Sequence, residues 1–191
     1  MIPMTIKIPN ESQLTLGQYI AMLSPSTDAE RVAKIFGIEL EVVQSWKQSA
    51  IRTIIEELRP AFEDCKPNFK RFIQLDFTDF GFIPNLDGIT GAEYADLMRA
   101  LEQVNVNPLD VASVLYRPVT DRVGKWYRIE DYTYLDRTKH QEQLEKMPLE
   151  VYFGAIAFFL PIRNNLQETT LDYLSSLTAE MNQELNSINQ S

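Results

Sequence analysis

The chain has 191 residues, 45% of them hydrophobic and 24% charged, ordinary proportions for a globular domain that exclude wholesale disorder. A formal net charge of -9 argues against a general nucleic-acid or anionic-membrane binder, which needs a surplus of basic charge. One cysteine, Cys65, excludes an internal disulfide, and one histidine, His140, excludes a zinc site built from Cys and His.

In chain order, Met4 to Ile8 alternates apolar and polar residues between prolines, which predicts an extended N-terminal arm or edge strand within residues 1–13. The N-terminus lacks a basic region followed by a continuous apolar run, so no signal peptide is expected. Thr15 with Gln18 fits a capping box and opens a helix that Pro25 closes. Ala29, Val32, Ala33 and Phe36 share a helix face ending at Gly37, a C-cap residue. Leu40, Val43 and Trp46 resume helical spacing, and Ile51, Ile54, Ile55 and Leu58 carry a longer helix whose end Pro60 disturbs.

The period changes at 69–83, where Phe72, Ile73, Leu75, Phe77, Phe80 and Phe82 predict a β-hairpin turning at Thr78-Asp79. Thr90 with Glu93 is a second capping box. Asn107-Pro108 opens a helix to about Tyr116, and Pro118 stops it. Lys125 to Ile129 reads as a strand, and residues 138–147 as a polar helix. Val151 to Leu160 is apolar but about half the length a bilayer requires, which predicts a buried helix. From Asn164 to Ser191 there is no Lys or Arg, while Glu168, Asp172, Glu180 and Glu184 supply a charge of -4. Leu171, Leu174, Leu177, Met181, Leu185 and Ile188 form an amphipathic stripe there, suited either to packing on its own domain or to docking on a neighbouring subunit. The expectation is a mainly α-helical single domain (14–162) with a small β-hairpin and a C-terminal acidic amphipathic helix (163–191).

Catalytic chemistry finds little footing. His140 lies on a polar segment and Cys65 has only Lys66 beside it. Asp76, Asp79 and Asp87 cluster near the hairpin, but without EF-hand spacing, and Asp favours turns because it bonds its own backbone. Neither GxGxxG nor GxxxxGK[ST] occurs among the seven glycines. No cofactor, metal or catalytic residue is therefore expected. Residues 29–47 read like a helix-turn-helix around Gly37, although the second helix opens with Glu39 and Glu41, which phosphates would repel. A basic cluster, Arg117, Arg122, Lys125 and Arg128, encloses Trp126 and Tyr127. It suits nucleic acid through phosphates and stacking, an acidic partner surface such as the acidic C-terminal helix of a neighbour, or plain solvation.

Four stretches carry a resemblance: Gly81 to Thr90 with Glu93-Tyr94 and Asp96-Leu97; Val114 to Val119; Tyr127 to Tyr132; and Met147 to Phe159. Their order resembles morphogenesis proteins of tailed bacteriophages, from the structural gene blocks of crAss-like phages, and is similar to tail assembly chaperones. The resemblance implies a non-enzymatic virion structural or assembly protein in the neck or tail, either a ring component or a tail assembly chaperone. Its partners would be other phage structural proteins and further copies of itself, located in the virion or the host cytoplasm, with no membrane and no nucleic acid. Arg117 is expected to point outward or onto a carboxylate, with Asp96 and Glu93 as candidates. Gly154 and Ala157 would let another helix approach. The expected contact residues are Arg117, Arg122, Lys125, Arg128, Phe158, Phe159, Leu174, Leu177, Met181 and Leu185. The alternative is a helix-turn-helix DNA-binding regulator.

Overall fold

The computed structural model describes residues 6–85, 88–102, 107–133 and 138–160. Two compact units divide the chain, Met1–Ala155 and Ile156–Ser191. The first unit holds, in order, a 3-10 turn (Glu11–Gln13), α1 (Leu16–Leu23), α2 (Asp28–Phe36), α3 (Leu40–Gln44), α4 (Gln48–Glu63), β1 (Phe72–Leu75), β2 (Thr78–Phe82), α5 (Gly91–Glu102), α6 (Pro108–Leu115), β3 (Tyr116–Val123), β4 (Trp126–Ile129) and α7 (Gln141–Leu144). A last helix, α8 (149–160), begins in the first unit and continues into the second.

Local chemistry explains the helix starts. At α1, Thr15 accepts from the Gln18 N–H while the Gln18 side chain accepts from Thr15 N–H at 3.0 Å. At α5, Glu93 accepts from Thr90 N–H at 2.7 Å and Thr90 Oγ1 accepts from Glu93 N–H at 3.2 Å. Thr27 with Glu30 makes a third box at α2. α4 runs through Pro60 to Glu63.

The fold class differs from the sequence expectation. The protein is α+β, with a four-stranded antiparallel sheet in the order β1-β2-β3-β4, and is not a mainly α-helical domain. The first hairpin turns at Asp76-Phe77, between the paired Leu75 and Thr78, with Asp76 at φ 52. The larger departure is at Tyr116, where α6 passes directly into β3. Pro118 does end the helix, but it does so inside a strand, paired with Phe80. Its carbonyl accepts from Glu130 N–H, and the missing proline donor falls beside a register shift between Val119 and Asp121.

That shift turns the outer half of β3, with β4, back across the first hairpin. Gly81 makes the crossing possible: a Cβ there would stand 2.9 Å from the Tyr127 ring and 3.0 Å from Ile129 Cγ2. Gly154 has a similar role beneath α8, where a Cβ would meet the backbone of Asn68 and Phe69. The close approach at Gly154 is thus by an extended segment of backbone, not by the helix expected there. Segment 145–150 binds the first unit together: Leu16 N–H donates to Met147 O, Leu149 N–H to Leu14 O, and Asn68 N–H to Glu150 O. Leu14, Leu16, Leu58, Phe80, Leu97, Leu115, Tyr116, Leu144, Met147, Leu149 and Tyr152 are almost fully buried.

Two predictions follow from this packing. Gly154→Ala should destabilise by about 1–3 kcal/mol through overpacking, read by urea denaturation, because backbone cannot step aside as a side chain would. Burial pushes the Tyr116 and Tyr152 hydroxyls well above the ordinary phenol range, with nearby Tyr127 and Tyr19 adding to the effect. The unfolded phenols ionise near about pH 10 while the folded ones resist, so this stability is present below that pH and lost as pH rises above it. Tyr152 Oη is buried without a hydrogen-bond partner among the described residues. Tyr152→Phe should therefore be near neutral at pH 7 and should reduce the loss of stability in alkaline denaturation.

Candidate protein-contact site

The second hairpin is built from β-formers that the sequence places on alternate faces. Val123 pairs with Trp126 across a two-residue turn in which Gly124 takes φ +60, a conformation most L side chains avoid. Arg122 pairs with Tyr127, and Asp121 with Arg128. Side chains alternate along a strand, so Asp121, Val123, Trp126 and Arg128 share one face and Arg122 and Tyr127 the other.

The inner face is fastened. The Tyr127 hydroxyl donates to Phe82 O at 2.6 Å, and its ring lies 4.5 Å from that of Phe72. The Arg122 guanidinium sits 4.0 Å above the Phe72 ring, a cation–π contact. The outer face is open. Trp126 is 84% exposed and Val123 71% exposed. Lys125 and Arg128 are exposed beside them, without an ion-pair partner among the described residues.

The root of this arm is a buried polar cluster. Arg117 Nη2 meets Glu93 Oε1 at 2.7 Å, with the two side chains 11% and 7% exposed. Of the two carboxylates considered, Glu93 takes the guanidinium and Asp96 takes the Tyr132 hydroxyl at 2.7 Å and Arg99 at 2.8 Å. Arg117 also lies 5.7 Å from the Tyr132 ring centre. Nearby, Glu130 binds Lys139 Nζ at 2.6 Å and His140 Nε2 at 2.8 Å. The Lys139 hydrogen bond, with His140 adding to it, holds the Glu130 carboxyl below the usual carboxylate range. A cleft of about 390 Å³ between the arm and residues 83–85 and 88–93 is lined by Glu93, Arg117, Arg128, Glu130 and Tyr132; Glu93 and Arg117 bind each other, Glu130 binds Lys139 and His140, and Tyr132 binds Asp96.

The expected contact residues therefore scatter. Arg117 is drawn inside, Arg122 is stacked inward, and Lys125 and Arg128 remain outward. Phe158 is 45% exposed and Phe159 is 1% exposed. Leu174, Leu177, Met181 and Leu185 lie outside the described residues, as does Asp87. Asp76 is held by Lys146 at 2.7 Å. Among the described residues, no group of three or more His, Cys, Asp or Glu side chains is placed to hold a metal ion, and no helix is long and apolar enough to cross a membrane. The helix-turn-helix segment does form α2, a turn at Gly37 and α3, but α3 has 5 residues and Trp46 is 8% exposed. Trp126 and Val123, which the sequence does not select as contact residues, are the exposed large apolar members of the site. An indole between strand residues beside a glycine turn was the available signal.

No family model, curated protein or solved structure matches this chain. Fold and site together define an α+β chain bearing a fastened β-hairpin arm with an apolar, basic outer face.

The root cluster is open to a direct test. Arg117→Met leaves Glu93 buried without its cation and should cost about 3–5 kcal/mol in urea denaturation. Arg117→Met combined with Glu93→Gln should recover most of that loss, because the pair is then removed as a unit and the amide oxygen still accepts from Thr90 N–H.

Proposed function

We propose that this chain is a non-enzymatic structural or assembly protein of a tailed bacteriophage, acting through protein–protein contacts in the neck or tail. The observation that carries the contact role is Trp126, left 84% exposed on an arm whose other face is bonded to its own sheet. An exposed indole between unpaired Lys125 and Arg128 is the composition of an interface anchor. Covering about 150 Å² of it would contribute up to about 4 kcal/mol. Because the arm is already fastened, little ordering entropy opposes that gain. The phage context rests on the resemblance of residues 81–97, 114–119, 127–132 and 147–159 to morphogenesis proteins.

The site favours this over the regulator. In the helix-turn-helix segment Glu39 caps the second helix, Glu41 lies in its first turn and the large aromatic is inside. Quantitative mass spectrometry of purified particles and infected-cell extracts decides the phage role. A fixed copy number per particle is expected of a virion component; absence from particles with co-purification of identified neck or tail proteins is expected of a chaperone. Absence from both overturns the proposal. Trp126→Ala should weaken the contact roughly 30-fold with an unchanged melting temperature, since a central interface anchor contributes about 2 kcal/mol or more.

A further inference from the structure

We infer that the arm docks on the α3 face of a second copy of this chain, in a head-to-tail contact. The inference rests on the reading of the arm as a protein-contact surface and names its partner. Among the described residues, the large apolar side chains left exposed are Leu23, Val42, Phe77, Val123, Trp126 and Phe158. Val123 and Trp126 stand with Lys125 and Arg128. Val42 is 46% exposed on α3, next to Glu41 and one turn from the N-cap residue Glu39, both exposed and without an ion-pair partner among the described residues. The arm face is apolar with Lys125 and Arg128 against the single carboxylate of Asp121, a net positive charge, and the α3 face is apolar with two free anions, so the two are complementary in sign and in apolar character.

Among the described residues, nothing from the same chain covers either face. α3 packs on α2, and the arm packs on the first hairpin. Phe77 also stands beside acids, but Lys146 neutralises Asp76 there and would repel the cations of the arm. A second copy is the partner favoured by charge, since the chain as a whole carries -9 while the arm is locally basic. The two faces are different surfaces, so the contact is heterologous. Such contacts repeat into a closed ring or an open filament, not a two-fold dimer.

Sedimentation velocity on the full chain tests this. The wild type should associate in a concentration-dependent way. Lys125→Glu with Arg128→Glu should give monomers, and so should Glu39→Lys with Glu41→Lys. An equimolar mixture of the two variants should associate again, because each supplies the face that complements the other. Trp126→Ala, which alters no charge, should raise the association midpoint at least tenfold; matched melting temperatures exclude unfolding as the cause. A monomeric wild type overturns the inference, and if the arm still captures identified neck or tail proteins the proposed function survives. Dissociation by the arm variant but not by the α3 variant, or no recovery on mixing, also overturns it. Binding of a short duplex oligonucleotide that the arm variant loses would overturn it in favour of phosphate contact.

Discussion

The buried pairing of Glu93 with Arg117 is the constraint around which the first unit is arranged. One carboxylate serves two ends: Oε2 caps the start of α5 through Thr90, and Oε1 holds the guanidinium of Arg117, the second residue of β3. A buried ion pair adds little net stability over an apolar substitute, but breaking it on one side leaves an uncompensated charge. It therefore fixes geometry more than it supplies energy. Here it fixes the place where α6 stops and β3 begins, which Tyr116 reinforces by donating its hydroxyl to Lys70 O. Tyr132 stacks toward the same guanidinium and ties Asp96 into the cluster.

From that root the arm inherits its direction. The register shift after Val119 bends the strand, Gly81 leaves room for the crossing, and Tyr127 and Arg122 fasten it against Phe82 and Phe72. The consequence is a projection whose apolar tip is held in place before any partner arrives. Preorganisation of this kind removes part of the entropic cost of association. It also explains why an exposed tryptophan persists: the inner face of the strand pair is needed for fastening, and parity places the indole on the other side.

The basic cluster shows how far a linear reading reaches. Arg117, Arg122, Lys125 and Arg128 lie close together in sequence, and as a list they suggest one patch. Strand parity and side-chain partners separate them into an internal ion pair, a cation stacked on Phe72 and two outward charges. Nothing in the spacing distinguishes these roles, because each partner comes from another part of the chain: Glu93 from α5, Phe72 from β1. The same holds for β3 itself. Pro118 signals a stop correctly, yet whether a loop or a strand follows depends on the edge offered by β2. Gly154 likewise announces a close approach in the sequence without saying what approaches.

What the sequence determined by itself is local. Thr15 with Gln18 and Thr90 with Glu93 set helix starts because side chain and backbone donor lie within one turn of each other. The apolar spacing of Val32, Ile51, Ile54, Ile55 and Leu58 set which helix faces are buried. The single cysteine and histidine limited the available chemistry. Tertiary structure alone decided the four-stranded sheet, the inward turn of Arg117 and the exposure of Trp126. Those outcomes depend on strand pairing and on charges brought together from distant segments, and the energy of such contacts exists only once the chain has folded.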